Sequence, residues 1–479
     1  MSHNYFDAHR ETLEKALGAI RTREYWSAYP EIPSGKIYGE TAKADAEAYF
    51  KSLQNSHFEI DQPSVGGKVG HEVSPYGFEL GITYPEPDLN LLMPAMQEAM
   101  QDWKHADIET RVGVCLEALK RLNAKSFDMA FAVMHTTGQG FMMSFQAGGP
   151  HAQDRGLEAV AYAYQEMMRT PAVTTWQKRV GKEETVTLEK RSRIVPRGIA
   201  VAIGCSTFPT WNGYPGIFAS LATGNALVVK PHPGAILPMA LTVRILRETL
   251  KDAGFNPDIV ALAPDTQNAP ISKELVMRPE VKIVDYTGSS AFGDWIEQHA
   301  HHAAVFTEKA GVNSIVIDSL DNLKAVTGNI AFSLSLYSGQ MCTASQNIFI
   351  PKSGVTVGGE NKSFDEMAGA IVKAVDWLLG DDARAAEILG AVQNQNTIER
   401  VKNAKAEAKT VLRESQPVNN AQFPEARTAS PLIVQVDAKD EPLYMREMFG
   451  PFVYIVATES TDHSLELARR GAQEHGGIT

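Results

Sequence analysis

The spacing of hydrophobic and polar residues changes along the chain, and each pattern predicts a different kind of structure. Residues 1–180 are predicted to be mostly helical, as in 102–122, where apolar residues recur at roughly helical spacing. Residues 57–88 are rich in Gly, Pro and Ser, which predicts a long surface segment. In residues 183–195, apolar residues are instead interspersed with charged residues in a strand-like pattern. This pattern predicts a projecting hairpin with an unpaired strand edge.

Between residues 199 and 320, short apolar runs alternate with helix-length amphipathic segments. The runs are 199–204, 226–229, 259–263, 282–286 and 304–307, and the helical segments include 239–253 and 292–299. Repeated strand–helix–strand units predict an α/β fold with a parallel sheet covered on both faces. Ligands of such sheets bind at the carboxyl ends of the strands. Candidate chemistry is therefore expected in the segments that begin at Ser206, Lys230, Thr287 and Glu308.

Composition narrows the possible classes of protein. A chain of 479 residues is long enough for two or three domains, and its net charge of −12 argues against binding to nucleic acid or to an anionic membrane surface. No uninterrupted apolar run reaches the roughly 18 residues of a transmembrane helix, and the N-terminus lacks a signal-peptide pattern. The three cysteines show no metal-binding or CxxC spacing, which fits a reducing cytoplasm.

The candidate chemistry centres on Cys342 and on Glu308, which lies 34 positions before it. A thiolate can attack an electrophilic carbon and hold it covalently, and a carboxylate can then activate a water to release the product. Taken alone, a single cysteine such as Cys342 would favour the role of a buried structural residue. Cys115 and Cys205 are predicted to be packing residues, and the aromatic segment 25–29 is predicted to pack rather than bind substrate. The histidines at 299–302 lack further ligands, so no metal site is expected.

Six short motifs occur in an order that resembles the aldehyde dehydrogenase superfamily over about residues 100–479. They are Phe208-Pro209-Thr210-Trp211-Asn212, Lys230-Pro231, Thr287-Gly288-Ser289, Glu308-Lys309-Ala310-Gly311, Gly339-Gln340-Met341-Cys342 and Glu447-Met448-Phe449-Gly450-Pro451. The resemblance implies a Rossmann-type dinucleotide-binding domain, an α/β catalytic domain and a small oligomerisation hairpin. We therefore expect a cofactor-binding helical part at 1–180, the hairpin at 181–197, the dinucleotide-binding sheet at 198–310 and the catalytic domain at 311–479.

The resemblance also implies a role for each matched residue. Cys342 would attack the aldehyde carbon, the Asn212 side-chain amide would help form the oxyanion hole, and Glu308 would activate the hydrolytic water. Hydride would pass to a nicotinamide, leaving a thioester that is hydrolysed to a carboxylic acid. The residues that would hold the cofactor are Lys230 and Glu447 at the ribose hydroxyls, Phe449 near the nicotinamide, and Thr287, Gly288 and Ser289 at the pyrophosphate.

Two departures from the family pattern bear on this site. Pro233 stands where members that prefer NAD often carry a Glu, and loss of that acid should admit NADP, with Lys230 and His232 as possible partners of its phosphate. We therefore favour NADP and keep NAD as an alternative. Lys309 replaces an apolar residue, and it would either pair with Glu308 or point elsewhere. Family members usually continue about 70 residues further, so a truncated or early-ending chain is expected.

A narrower resemblance, to PaaN-type proteins of phenylacetate degradation, is carried by segments in the first half of the chain. These segments are 28–34, 135–139, 145–156 and 203–212. They imply an aldehyde from aromatic-ring cleavage, plausibly a semialdehyde carried as a CoA thioester. The alternatives are a CoA-acylating dehydrogenase and a catalytically weak binding or scaffolding protein of the same fold. The expected assembly is a homodimer or a dimer-based oligomer in the cytoplasm.

Overall fold

The computed structural model describes residues 5–478. Its α-helices are α1 (Tyr5–Thr22), α2 (Gly35–Tyr38), α3 (Ala42–Leu53), α4 (Leu89–Trp103), α5 (Ile108–Ala124), α6 (Ser126–Thr137), α7 (Phe141–Gly148), α8 (Pro150–Met168), α9 (Pro209–Ala222), α10 (Leu237–Asp252), α11 (Ser272–Val276), α12 (Ser290–His299), α13 (Leu323–Ser335), α14 (Phe364–Leu378), α15 (Asp382–Leu389), α16 (Gln395–Glu407), α17 (Glu441–Tyr444) and α18 (Thr461–His475). Two short 3-10 helices span Pro257–Ile259 and Leu336–Gly339.

The strands belong to two larger sheets and several small ribbons. They are β1 (Lys68–Val69), β2 (Val73–Ser74), β3 (Phe78–Glu79), β4 (Tyr84–Pro85), β5 (Val173–Arg179), β6 (Thr185–Arg191), β7 (Ile199–Ile203), β8 (Ala226–Lys230), β9 (Val260–Leu262), β10 (Val281–Thr287), β11 (Ala304–Glu308), β12 (Asn313–Val316), β13 (Ser319–Leu320), β14 (Ser345–Pro351), β15 (Val355–Val357), β16 (Glu360–Lys362), β17 (Thr410–Arg413), β18 (Leu432–Asp437) and β19 (Phe452–Thr458).

The first large sheet is parallel, with the strand order β11–β10–β7–β8–β9. The five apolar runs predicted as strands are confirmed as these strands, and the predicted segments 239–253 and 292–299 are confirmed as α10 and α12. Every residue of β7, β8 and β9 is buried, as expected for a sheet with helices on both faces. The chain runs outward from β7 to β9 and then returns to β10 on the other side of β7. This reversal places a switch point, where ligands bind in such sheets, between β7 and β10.

The second large sheet has the order β12–β14–β19–β18–β17 and is parallel except for the β17–β18 pair. Strands β14 and β19 at its centre consist entirely of buried residues. The first sheet lies within residues 198–310 and the second within residues 311–479, which agrees with an α/β fold. The division of the chain into domains at these boundaries stays a prediction.

The N-terminal helices pack on the first sheet, with two differences from the sequence pattern. The predicted helix over 102–122 is two helices, because the Asp107 carboxylate accepts a hydrogen bond from Thr110 N at 2.6 Å and begins α5 there. Trp103 ends α4 instead, fully buried. The predicted surface segment 57–88 is also wrong in part, since Glu72 is buried and its Oε1 accepts a hydrogen bond from Ile236 N at 2.6 Å.

The predicted hairpin exists, but it begins earlier than the sequence pattern indicated. Its strands β5 and β6 pair antiparallel from Val173↔Arg191 to Arg179↔Thr185, so the first strand falls in the range 1–180 that was expected to be helical. All residues of both strands are exposed. β-Branched and charged residues side by side leave little apolar content in β5, which explains why periodicity alone did not mark it as a strand.

The structure also bears on whether the chain has a membrane-spanning helix or a metal site. Within residues 5–478, no helix is long and apolar enough to cross a membrane. The same part of the chain contains no group of three or more His, Cys, Asp or Glu side chains arranged to hold a metal ion. The histidines near the end of α12 contact backbone instead: His299 Nδ1 lies 2.7 Å from Trp295 O, and His302 Nε2 lies 3.1 Å from Arg278 O.

Candidate active site

A cavity of about 470 Å³ opens at the carboxyl ends of the strands of the first sheet. Segments that follow β7, β8, β9, β10 and β11 line it, as expected for the switch point of a doubly wound sheet. The structure brings together in this cavity all nine residues proposed from the sequence, which are Asn212, Lys230, Thr287, Gly288, Ser289, Glu308, Cys342, Glu447 and Phe449. Cys342 and other residues from the part of the chain that forms the second sheet thus line the same cavity as residues from the part that forms the first sheet.

Cys342 lies on a loop whose backbone is held in an uncommon conformation. Tyr337 and Ser338, just before it, have φ values of 51° and 50°, which non-glycine residues rarely adopt. Ser338 Oγ donates to Leu389 O and Ala429 O, each at 3.0 Å, and the Tyr337 hydroxyl donates to Thr137 O. Such strain persists only where the surrounding structure fixes it. The nucleophile loop, residues 337–342, is therefore positioned by contacts with distant segments.

The surroundings of Cys342 keep its thiol protonated at neutral pH. Burial raises its pKa to about 11, and the negative charge of Glu308, the neighbouring Cys205 and a hydrogen bond to Glu308 add to this effect. The carboxylate proposed as the general base is thus close enough to the thiol to raise its pKa. The two groups needed for covalent attack and for hydrolysis lie in one cavity.

Alkylation of Cys342 by iodoacetamide should therefore be slow at neutral pH and should accelerate up to about pH 11. Glu308→Gln should move this midpoint to lower pH, because the substitution removes both the charge and the accepting carboxylate. Mass spectrometry of the Cys342 peptide after timed alkylation across a pH series measures both midpoints. Equal midpoints in the wild type and in Glu308→Gln would contradict the contact between the two side chains.

Glu308 ends β11, and its position depends on the neighbouring strand. Thr287 of β10 lies opposite it, and Gly288 N donates to Glu308 O at 3.0 Å. The alternative left open for Lys309 is resolved, since its Nζ lies 2.8 Å from Asp294 Oδ1 and 2.9 Å from Glu297 Oε2. Lys309 thus points away from Glu308.

The Asn212 amide faces the nucleophile from the first turn of α9. Its Nδ2 lies 3.4 Å from Cys205 Sγ, while its Oδ1 is buried without a hydrogen-bond partner among residues 5–478. Sulfur is a weak acceptor, so the Asn212 N–H can turn to a developing oxyanion at little cost. Cys205 itself was expected only to pack; it lines the cavity and also accepts a hydrogen bond from Phe208 N at 3.4 Å.

The basic residues after β8 are strongly buried. Lys230 Nζ lies 2.8 Å from Asp265 Oδ1, and both side chains are about 3% exposed. Burial lowers the pKa of Lys230, although the charge of Asp265 and its hydrogen bond oppose the shift. Burial and the charge of Lys230 lower the pKa of His232 to about 4, so this imidazole is neutral at physiological pH. The proposed contact of His232 with a phosphate stays a prediction, and a neutral imidazole would make it as a hydrogen-bond donor.

The turn after β10 lines the cavity with residues that carry small side chains or none. A Cβ on Gly288 would come within 2.4 Å of the Tyr286 hydroxyl, so the packing of Tyr286 requires glycine there. Ser289 is exposed at the N-terminal end of α12, where backbone N–H groups favour an anion. These features, with the ammonium of Lys230 nearby, fit the pyrophosphate and ribose of a dinucleotide.

Glu447 and Phe449 close the opposite side of the cavity. Burial raises the pKa of Glu447, and a hydrogen bond from the Gly311 backbone opposes the shift. Arg400 donates to Phe449 O, which fixes the loop that presents both side chains. A half-buried carboxylate beside an aromatic ring provides an acceptor for sugar hydroxyls and a flat apolar surface for a ring.

Several residues at the cavity were missed by the sequence reasoning. Asp265 follows the predicted strand 259–263, so its position at a strand end was an available signal. Gln340, Gln393 and Arg400 come from loops and helices with no strand pattern before them. Their place at the cavity depends on tertiary packing, for which periodicity carries no information.

Comparison with known proteins agrees with this architecture. A family model described as "Aldehyde dehydrogenase family" matches residues 83–471. An aldehyde dehydrogenase from Burkholderia multivorans, described as NAD-dependent, has a crystal structure that matches with a TM-score of 0.97 and 52% sequence identity. That match covers 100% of this chain and 86% of the other.

Curated relatives are more distant in sequence. A 1-pyrroline-5-carboxylate dehydrogenase of Bacillus licheniformis is 22% identical over 480 residues, which covers 96% of this chain and 82% of that protein. An aldehyde dehydrogenase-like protein of Saccharomyces cerevisiae is 25% identical over 300 residues, or 60% of this chain, and the match spans 45% of its length. The family match over most of the chain, together with the 52% identity to a solved member, is decisive. The chain belongs to the aldehyde dehydrogenase family, whose members are oxidoreductases.

Proposed function

We propose that this chain oxidises an aldehyde to a carboxylic acid with NAD or NADP as the hydride acceptor. The observation that carries the proposal is the meeting of Cys342, Glu308 and Asn212 in one cavity. A nucleophile, a base and an oxyanion donor are the three groups that acyl chemistry at an aldehyde carbon requires. Dinucleotide-fitting residues line the same cavity, so the two reactants would meet there.

Cys342, Asn212 and Glu308 each have a separate role in the proposed reaction. The Cys342 thiol releases its proton to solvent as its sulfur forms a bond to the aldehyde carbon, so the Glu308 carboxylate stays free for the hydrolysis step. The aldehyde oxygen becomes an oxyanion, and the Asn212 amide and the Cys342 backbone N–H donate to it. Once hydride has left the carbon, the acyl group is a thioester on Cys342. Glu308 then deprotonates a water that attacks this thioester, which releases the acid and restores the thiol.

The cofactor would supply a nicotinamide that accepts the hydride. Lys230 and Glu447 would hold its ribose hydroxyls, and Phe449 would lie against the nicotinamide region. The Thr287-Gly288-Ser289 turn would hold the pyrophosphate at the start of α12. Burial of Lys230 in its pair with Asp265 keeps the ammonium in place for this role.

The first test is cofactor reduction by the wild-type protein. A panel of aromatic and medium-chain aldehydes is offered with NADP and then NAD, absorbance of the reduced cofactor is followed, and mass spectrometry identifies the product. We expect reduction with release of the free acid. An acyl-CoA product formed only with added CoA would favour the acylating alternative, and cofactor binding without any reduction would favour a binding protein.

We propose a semialdehyde from aromatic-ring degradation as the substrate, either free or as a CoA thioester. Segments 28–34, 135–139, 145–156 and 203–212, which resemble PaaN-type proteins, support this choice. In the fold, residues 145–156 lie in α7 and α8, and 203–212 lie at the end of β7 and the start of α9. Helices α8 and α9 pack against each other, and α9 carries Asn212, so the packing of these two segments supports a role in substrate selection.

NADP is the proposed preferred cofactor, and Pro233 is the residue that tests it. Pro233→Glu should lower the NADP-to-NAD ratio of kcat/KM by about tenfold or more, because a carboxylate at the adenosine ribose repels a 2′-phosphate. Pro233→Gln, which adds a side chain of similar size without charge, is the matched control. Initial rates with each cofactor give the NADP-to-NAD ratio of kcat/KM for both variants. Equal ratios in the Glu and Gln variants would show that charge at position 233 does not determine the cofactor preference.

The exposed hairpin formed by β5 and β6 is proposed to mediate self-association. Both strands are exposed along their whole length, and Val173 and Leu188 are about half exposed there. A two-stranded ribbon of this kind is marginal on its own and gains stability when its edge pairs with another chain. A dimer-based assembly in the cytoplasm is the arrangement we propose.

A further inference from the structure

A stacked pair of side chains, Arg155 and Trp211, lies immediately behind the oxyanion residue. The Arg155 guanidinium carbon is 3.7 Å from the centre of the Trp211 ring, and Trp211 directly precedes Asn212. Gly156 allows this arrangement, because a Cβ there would lie 2.8 Å from Phe218 and hold α8 away from α9. Helix packing thus places a cation on the ring of the residue that precedes Asn212.

The hydrogen-bonding capacity of Arg155 is not used within residues 5–478. Its Nε is buried and has no hydrogen-bond partner in this part of the chain. Burial lowers its pKa, and the opposing influence comes from the charges of Glu308 and Glu158 without any hydrogen bond to either. A guanidinium offers five N–H donors in a planar fork, so leaving it unpaired beside the reaction centre calls for an acceptor.

Arg155 also lines a second cavity of about 340 Å³, which we call the outer cavity. Its apolar wall includes Ala16, Ile20, Trp26, Leu157 and Tyr162. Tyr25 at its rim is 87% exposed, so the expectation that the aromatic segment 25–29 serves packing alone is wrong for this residue. An apolar cavity with one unpaired donor group is typical of a site that selects small molecules.

The other charged residues of the outer cavity are mostly acidic. Asp154 is occupied, since it accepts hydrogen bonds from Ser27 Oγ at 2.5 Å and from Ala28 N at 3.1 Å. Glu158 and Glu24 also face this cavity, with Arg23 as the other cation. Their negative charges disfavour an anion except beside a cation, and Arg155 is the cation whose buried Nε has no hydrogen-bond partner among residues 5–478. Repulsion of an anion by the acidic residues and its attraction to the Arg155 guanidinium together would make binding of the anion specific.

We propose that Arg155 binds a carboxylate, or a comparable oxygen-rich group, located a few carbons from the aldehyde of the substrate. This inference rests on the aldehyde oxidation proposed above and names the substrate class of that site. The aldehyde end reaches Cys342, the planar guanidinium pairs with the second group, and any remaining part of the substrate lies along Trp26 and Tyr162. Arg155 is a specificity residue in this arrangement.

The test compares aldehydes that differ in the second group alone. Succinic, glutaric and adipic semialdehydes are each paired with butanal, pentanal and hexanal, and kcat/KM is measured for the wild type and for Arg155→Met. We expect the wild type to prefer at least one semialdehyde over its neutral partner. Arg155→Met should lower kcat/KM for that semialdehyde by about 10- to 100-fold and leave the neutral aldehyde within about threefold.

Two variants separate specificity from folding. Arg155→Lys keeps the charge without the fork and should recover part of the loss, mainly through KM. Arg384→Met removes a cation that lies over the exposed Trp377 and donates to Leu378 O and Trp377 O, and it should change neither substrate because Arg384 lines neither cavity. An equal loss on both aldehydes in Arg155→Met would overturn the proposal, since Arg155 would then act on Cys342 or on the fold. Absence of cofactor reduction by the wild type with every aldehyde would instead overturn the oxidation on which the inference rests.

Discussion

Replacing Cys342 with Ala should abolish aldehyde-dependent reduction of the cofactor, with a loss of more than about 10,000-fold. Without the sulfur, no covalent adduct forms, and the aldehyde carbon has no tetrahedral state from which hydride can leave. Asn212 and Glu308 would remain in place but would have no reacting carbon to act on. Steady-state absorbance of the reduced cofactor measures turnover, and fluorescence titration with the cofactor shows whether the variant still binds it.

The matched control is Cys115→Ala, since the Cys115 thiol is buried in α5 and does not line the cavity. Burial raises the pKa of Cys115 to about 12, so it is not a competing nucleophile. This variant should keep near-normal activity and lose some stability from the small void. Residual turnover in Cys342→Ala within tenfold of the wild type would show that another group carries the chemistry.

Replacing Glu308 with Gln should give a single rapid turnover followed by a near stop. Attack by Cys342 and departure of hydride can still proceed, and the lower pKa expected for the thiol favours attack. Hydrolysis has lost its base, so the thioester accumulates and the steady-state rate falls by about 100- to 10,000-fold. Stopped-flow absorbance should show a burst of about one reduced cofactor per site, and intact-protein mass spectrometry should show the acyl adduct on Cys342.

Glu297→Gln is the control for this variant, because Glu297 carries the same charge and pairs with Lys309 but does not itself line the cavity. It should show no burst and little change in rate. A Glu308→Gln protein that lacks both burst and turnover would place Glu308 in the first half-reaction, as the acceptor of the thiol proton. Release of acyl-CoA from the stalled adduct on addition of CoA would identify CoA as a competent second nucleophile.

The sheet and the cavity could be predicted from the sequence because their signals are local. Buried parallel strands such as Ala226–Lys230 are short continuous apolar runs, and the residues that follow them reach the same edge of the sheet. The secondary-structure predictions that were wrong also have local causes. Asp107 caps α5 within an unbroken helical periodicity, and the polar strand Val173–Arg179 lacks an apolar face. Neither feature changes the hydrophobic pattern on which the predictions depend.

Other features were beyond the sequence because they arise between distant segments. The stack of Arg155 on Trp211 joins residues 56 positions apart on two helices, and neither helix has a pattern that indicates the contact. The direction of Lys309 was undecidable for the same reason, since its partners Asp294 and Glu297 lie on α12. The neutral state of His232 depends on burial, which sequence alone does not give.

The nucleophile loop makes catalytic competence a property of the assembled chain. Tyr337 and Ser338 are anchored to Thr137, Leu389 and Ala429, which lie on separate segments far apart in the sequence. A nascent or partly unfolded chain lacks these anchors and therefore lacks the turn that aims Cys342 at its substrate. Appearance of turnover during refolding would thus report the last tertiary contacts to form, and incomplete chains would be spared indiscriminate reaction with cellular aldehydes.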